Sequence, residues 1–454
     1  MKKRPSRRGR AYEEIREKPL LVREEMAVYE ASSSLLFDSM GTFADSKTAP
    51  IHRWFQYPAG FSYRGVECVL AMHDIRPGHR VYDPFAGTGT TNVVCKWNCI
   101  ESVGVEAHPF VFKVAKVKTT WDYDFEDLEK TAANFTLQLE ANIHKAIQED
   151  LSSMPELVTK CFSHENLQRL RFIRREISDL KVRKYRDLFS LALTSTLRQC
   201  SAAATGWPYI APKKKIKEKD GQECFVGQLY RMIGDLELTP PISRKVPCEI
   251  VNEDARSTSL PDATFDFAFT SPPYLNNYDY ADRTRLEGYF NGHFRTWGEI
   301  TEKVRDRLII SATTQINRSE HNAGDIVIQA LKDASPPMAH EIQDKVGTLS
   351  RRRLEKGGKK SYDIMVGQYF NDMTLCLEDC FRVLRPGSCF VLILGDSAPY
   401  GVHIPTEQYL AQIGLGVGFR EASVRRLRTR GGKWPGNPQR HHVPLQESIL
   451  TLKR

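Results

Sequence analysis

The sequence predicts a doubly wound α/β sheet, with a helical segment inserted into it and an antiparallel pair closing one edge. Three observations carry this. Short apolar runs, each leading into an acid or a polar turn, recur at residues 80–82, 102–105, 248–251 and 265–269. The first feeds a glycine-rich turn, Asp83-Pro84-Phe85-Ala86-Gly87-Thr88-Gly89-Thr90-Thr91, with a helix expected over residues 92–98. Strand, glycine turn, helix, strand and a terminal acid, here Glu106, open a sheet whose ligands bind beyond the strand ends.

Composition frames the rest. A chain of 454 residues has room for two or three domains, and 41% hydrophobic with 27% charged residues is ordinary for a globular protein. No apolar run has the length of a membrane span, and Met1-Lys2-Lys3-Arg4 leads into no signal-peptide core, so a cytoplasmic protein is expected. Among the ten cysteines, Cys95/Cys99 and Cys376/Cys380 stand four apart on helical stretches, away from His pairs and Cys-x-x-Cys spacing. They read as reduced packing residues, and no metal is expected. Basic residues number 65 against 56 acids, a formal charge of +9. They gather at residues 2–10, 169–186, 213–219, 351–360 and 420–440. One such run is ordinarily a solvated face. Five together point towards a nucleic acid.

In chain order, residues 1–50 begin as a basic arm. An aromatic block from His52 to Ser62 follows, then Val66, Val69 and Leu70 at helical spacing. Residues 51–125 form the first half of the sheet. A helical insertion is expected over residues 126–244. One face carries Leu128, Ala132, Phe135, Leu139, Ile143 and Ile147; a second carries Leu167, Leu170, Ile173, Ile177 and Leu180, among Arg169, Arg171, Arg174 and Arg175. A third helix covers residues 185–197, and residues 212–217 and Pro240-Pro241 read as loops. The sheet resumes over residues 245–299. Residues 300–361, with Gly324, Pro336-Pro337 and Gly357-Gly358, read as a second, polar insertion in which Ser335-Pro336-Pro337 is a loop. In residues 362–454, Phe370, Met373, Leu377, Phe381 and Leu384 mark a helix stopped by Pro386-Gly387, a buried strand follows at 389–394, and residues 419–427 and 447–452 form the closing pair.

Two turns carry the chemistry. At the glycine turn, a Walker loop lacks its lysine, and a dinucleotide fingerprint would place its third glycine at Asn92. S-adenosylmethionine has no phosphate to cradle but does carry an ammonium. Asp83 is placed to neutralise that ammonium, Glu106 to accept ribose hydroxyls, and Asp254 to accept from an adenine amino group. Each acid alone reads equally as a helix cap or a surface charge; three at successive strand ends favour a ligand. The second turn is Thr270-Ser271-Pro272-Pro273-Tyr274. Its prolines remove backbone donors, leaving the Ser271 and Pro272 carbonyls beside the flat face of Tyr274. Rigid acceptors beside a stacking face suit a planar ring bearing an amino group.

Together the two motifs resemble the exocyclic-amino DNA methyltransferases, the N4-cytosine kind above all, over roughly half the chain. The resemblance implies a Rossmann-like methyltransferase sheet and S-adenosyl-L-methionine held by Phe61, Ser62, Asp83, Phe85, Gly87, Gly89, Thr90, Glu106 and Asp254. It also implies a catalytic loop of Ser271, Pro272, Pro273 and Tyr274 acting on a flipped cytosine in double-stranded DNA, with a companion restriction endonuclease as a candidate partner. Departures are plain: residues 126–244 interrupt the cofactor half, and a second insertion follows the loop. The insertion over residues 126–244 is expected to read the target, through its basic runs at 169–186 and 213–219, with residues 300–361 or the basic stretch around Lys433-Trp434 as the alternatives. Serine at position 271 favours cytosine without being a strict code. N6-adenine methylation, RNA amino-methylation and a non-catalytic nucleotide- or DNA-binding protein on the same fold stay open; carbon-5 methylation through a Pro-Cys thiol is not expected.

Overall fold

The computed structural model describes residues 44–57, 60–205, 210–430 and 443–454. Most of the basic arm expected over residues 1–50, and the stretch around Lys433-Trp434, lie outside the described residues. The strands are β1 (Arg80–Asp83), β2 (Glu101–Val105), β3 (Ala203–Ala204), β4 (Ala211–Lys215), β5 (Cys248–Val251), β6 (Phe265–Thr270), β7 (Leu384–Gly395), β8 (Glu421–Arg430) and β9 (Leu445–Lys453). Seven form one sheet in the order β5-β2-β1-β6-β7-β9-β8, and β3 pairs with β4 separately. From β5 to β7 the neighbours are parallel; β9 lies antiparallel between β7 and β8.

Apolar side chains point both ways from the central strands because both faces are covered. On one face, Val81, Phe267, Phe269, Val391 and Ile393 pack with Val66, Val69 and Leu70 of the helix Tyr63–Met72. On the other, Tyr82, Phe265, Ala268, Phe390, Leu392 and Leu394 meet the helices Tyr362–Val383 and Thr406–Val417. The sheet is therefore doubly wound and Rossmann-like, with an antiparallel pair at one edge.

The helices Phe125–Asn142, His164–Ser178, Arg183–Thr196 and Gly221–Glu237 share a core that also takes in Leu286, Phe290, Phe294 and Ile300. The expected apolar face of the first ends early. At Ile143 the α-helix gives way to a 3₁₀ turn, Ile143–Gln148, whose tighter period rotates Ile147 outward to 76% exposure. The arginines of the second are engaged within the chain. Arg169 pairs with Asp220 and Glu165, Arg175 with Glu149, and Arg174 donates to the Phe290 and Asn291 carbonyls at 2.6 and 2.8 Å.

Other expectations need correction. Of residues 212–217, expected as loop, 212–215 belong to β4. Ser335-Pro336-Pro337 is not a loop but the start of the helix Pro336–Glu355, with both prolines in the first turn, where a missing N–H leaves no bond unmade. That helix buries Ala339, Ile342, Val346 and Leu349 against the sheet's core, so the polar second insertion contributes a packed layer. β7 begins at Leu384 and runs through Pro386-Gly387 rather than starting at residue 389. No helix of the described residues is long and apolar enough to cross a membrane.

The segment ahead of the sheet is tied to the helical region by one buried carboxylate. Asp235, 1% exposed, accepts from the Ile51 N–H at 3.0 Å, Arg53 Nε at 3.0 Å and the Trp54 indole at 2.9 Å. Asp235→Ala removes the acceptor from Ile51 and Trp54 and the counter-charge from Arg53. Denaturant unfolding should read a loss of about 3–5 kcal/mol, the usual cost of breaking a buried pair on one side.

Candidate active site

From β1 the chain winds outward to β2 and β5 on one side and later to β6 and β7 on the other. Beyond the carboxyl ends of strands at such a reversal lies the crevice where doubly wound sheets bind ligands. A cavity of about 310 Å³ is found here, lined by both predicted turns.

Asp83 ends β1 and is fully buried. Its Oδ1 accepts from the Phe85 N–H at 3.0 Å and from the Thr270 hydroxyl at 2.6 Å. Oδ2 has no hydrogen-bond partner among the described residues, and neither has the buried Thr91 hydroxyl. Burial raises the carboxyl to about 6. The glycine turn folds flat over β2: Ala86 donates to the Val105 carbonyl at 2.9 Å, and Gly89 sits at φ +80°, a left-handed conformation that opens the helix Thr90–Trp97. The close approach depends on Gly104 of β2, where a Cβ would lie 2.6 Å from Asn92 Oδ1 and 2.8 Å from the Ala86 methyl.

Glu106 follows β2. Its Oε1 accepts from the His108 N–H at 2.7 Å, and burial pushes the carboxyl up to about 8. His108 accepts from the Phe110 N–H at Nδ1, which assigns its proton to Nε2, facing the Thr284 hydroxyl at 2.7 Å. Burial lowers the imidazole to about 3, so the ring is neutral. Asp254 lines the cavity but holds Arg256, whose Nε and Nη2 reach its oxygens at 3.0 and 2.6 Å and whose Nη1 continues to Asp372 at 2.9 Å.

Ser271, Pro272, Pro273 and Tyr274 leave β6 along the same cavity. The Tyr274 N–H donates to the Tyr280 hydroxyl at 3.3 Å, and its own hydroxyl donates to Glu447 Oε1 at 3.0 Å. Arg428 Nε reaches Glu447 Oε2 at 2.7 Å. Of the residues expected at the cofactor, Phe61, Phe85, Gly87, Thr90, Glu106 and Asp254 line the cavity. Asp83, Gly89 and Ser62 stand behind its wall; Ser62 caps the helix Tyr63–Met72 and hydrogen-bonds Asp45. The reading of the sequence missed Tyr57, Tyr278, Tyr280, Arg307, Arg428 and Glu447, all on the cavity. Asn276-Asn277-Tyr278-Asp279-Tyr280, directly after the loop, was a legible aromatic signal for two of them. Pro247-Cys248 was also overlooked: it is a Pro-Cys pair, but Cys248 opens the edge strand β5, does not line the cavity, and has its thiol pushed up by burial. Among the described residues no cluster of His, Cys, Asp and Glu could hold a metal ion.

No family model matches the chain. It is 24% identical to the type II methyltransferase M.BsoBI of Geobacillus stearothermophilus, over 91% of this chain and 87% of that protein. The type II methyltransferase M.AvaI of Anabaena variabilis is 23% identical over 90% of this chain and 86% of its own length. For the type II methyltransferase M.MvaI of Kocuria varians the identity is 21%, covering 83% and 82%. These relatives, aligned along most of their length, are enzymes that transfer a methyl group.

Asp83→Asn keeps the acceptor for Phe85 and Thr270 and removes a charge that burial disfavours. With its folded carboxyl raised, the native protein loses stability as pH climbs from about 4 to about 6 and does not recover it above; asparagine escapes that loss. The substitution should raise the melting temperature of the ligand-free protein at about pH 7.5 and by less at about pH 4.5, read by scanning calorimetry.

Proposed function

We propose that the protein is an S-adenosyl-L-methionine-dependent DNA methyltransferase of a restriction-modification system, acting on the exocyclic N4 amino group of cytosine in double-stranded DNA. The observation that carries this reading is one cavity at the sheet's reversal point, walled by the glycine turn and Glu106 on one part and by Ser271–Tyr274 on another. Type II methyltransferases matching along most of the chain support it.

The residues present fit the cofactor. Asp83 Oδ2, buried without a partner behind the turn, is the atom an ammonium would compensate. Glu106 is a carboxylate for ribose hydroxyls, Phe85 an apolar wall, and Gly87, at φ +53°, lets a ligand lie against the backbone. Asp254, already paired with Arg256, is the weakest of the three acids for this role. When bound, S-adenosylmethionine supplies an electrophilic methyl group. The chain's own contribution is to make the amino nitrogen nucleophilic. Its lone pair is delocalised into the ring, and hydrogen bonds from the NH₂ to the Ser271 hydroxyl and the Pro272 carbonyl localise it as the bond to carbon forms. Tyr274 stacks on the extruded base and offsets part of its lost stacking. The reaction needs no covalent enzyme intermediate.

Target recognition is assigned to the helical region, residues 126–244. With Arg169, Arg174 and Arg175 engaged internally, the densest run of exposed cations is Lys213, Lys214, Lys215, Lys217 and Lys219 on and after β4, of which Lys215 also bonds the Lys160 carbonyl.

Mass spectrometry of digested DNA after reaction should find N4-methylcytosine. N6-methyladenine would replace the base, and methylated RNA beside unmodified DNA would replace the substrate. Ser271→Ala should cut turnover by about a hundredfold or more, the scale for one preorganised polar group, while calorimetry finds cofactor affinity unchanged.

Glu106 adds a pH dependence. Below about 8 its carboxyl is protonated in the free protein, and ribose hydroxyls favour the carboxylate. Cofactor affinity should therefore rise with pH from about 6 towards about 8 and then level, whereas Glu106→Gln binds more weakly at high pH and shows no such rise.

A further inference from the structure

We propose that Glu447, held by Arg428, is a positioning residue that sets the plane of the Tyr274 ring against the target base; the inference rests on the function proposed above. Tyr274 is fixed at both ends. Its N–H meets the Tyr280 hydroxyl at 3.3 Å, and its own hydroxyl meets Glu447 Oε1 at 3.0 Å. Anchors at the backbone and at the para oxygen fix the ring's long axis, and because conjugation keeps a phenolic O–H in the plane of its ring, the Glu447 acceptor also favours one rotation about that axis.

The carboxylate is built for this task. Glu447 is 2% exposed, and its second oxygen takes Arg428 Nε at 2.7 Å. A buried carboxylate in the interior strand of a sheet is costly unless it is paired and hydrogen-bonded, and apolar residues would hold the strands as well. Arg428 reaches it through a bulge. Along the β8–β9 pair, Arg426 opposes Ser448 and Arg428 opposes Glu447, leaving Leu427 as the extra residue, buried in the sheet's core. In an unbroken ladder Leu427, the residue after Arg426, would oppose Glu447; the bulge brings Arg428 there instead. Bulges beside active sites re-aim side chains in this way. Tyr274, Arg428 and Glu447 line the cavity together with Ser271.

The test uses the full chain with Tyr274→Phe, Glu447→Ala and the double substitution, on a duplex containing the mapped target site. Each single variant should lower kcat about tenfold, the rate equivalent of one hydrogen bond, with S-adenosylmethionine affinity within about twofold of the parent. The double variant should be no slower than the slower single one, because both remove the same contact. With 2-aminopurine at the target position, fluorescence should rise in both single variants as the stack loosens. Additive losses, parental kcat and fluorescence in Tyr274→Phe, or cofactor affinity falling in step with turnover would overturn the assignment. If Glu447→Ala does not fold, Tyr274→Phe decides by the same two readings. Failure of the unaltered protein to methylate DNA would refute the proposed function and this inference with it, whereas normal methylation by all forms would refute only the inference.

Discussion

The Thr270 hydroxyl and Asp83 Oδ1 are 2.6 Å apart in a fully buried setting, joining residues 187 positions apart in the chain. They end the two strands between which the sheet reverses its winding. One opens the glycine turn and the other opens the Ser-Pro-Pro-Tyr loop, so the relative height of the two motifs over the sheet is set by this contact and by the β1–β6 register beneath it. A slip of one residue along β6 would turn Phe267 and Phe269 to the wrong face and carry Ser271 away from the glycine turn. Burial makes the bond strong and also leaves Asp83 with an uncompensated oxygen, a cost that the ammonium of the proposed cofactor would offset.

Charge elsewhere is used mainly to fasten the chain to itself. Asp235 ties the aromatic segment to the helical region, Arg174 ties that region to residues 290–291, and Arg256 bridges Asp254 to Asp372 beside the cavity. Buried pairs of this kind add little net stability over apolar packing, but they specify which surfaces meet. That matters for a cavity whose wall runs from Tyr57 to Glu447.

Much of this was legible from residues alone, for physical reasons that differ by element. β1, β2 and β6 stood out because strands covered on both faces are largely apolar, and the glycine turn because only small residues fit where Gly104 and Ala86 nearly touch. Ser271–Tyr274 was visible because two prolines after a buried strand have few structural uses. Local chemistry explains some misses: Ser335-Pro336-Pro337 opens a helix as readily as a loop, and Ile147 follows a change of helical period that apolar spacing does not encode. The contribution of Arg428 and Glu447 is of another kind. It depends on a bulge and on which strand lies beside β7, and neither leaves a trace in composition or periodicity.

The position of β9 between β7 and β8 has a consequence for how the molecule is made. During synthesis β8 emerges before the strand that joins it to the sheet, so it has no place there until β9, alone or already paired with it, lies along β7. Assembly of this edge is therefore a late, non-local event, slow for the same reason that any long-range strand pairing is slow. Because Glu447 rides on β9, a nascent chain with its glycine turn and loop already formed still lacks the carboxylate beside Tyr274. Completion of the cavity is thereby coupled to completion of the sheet.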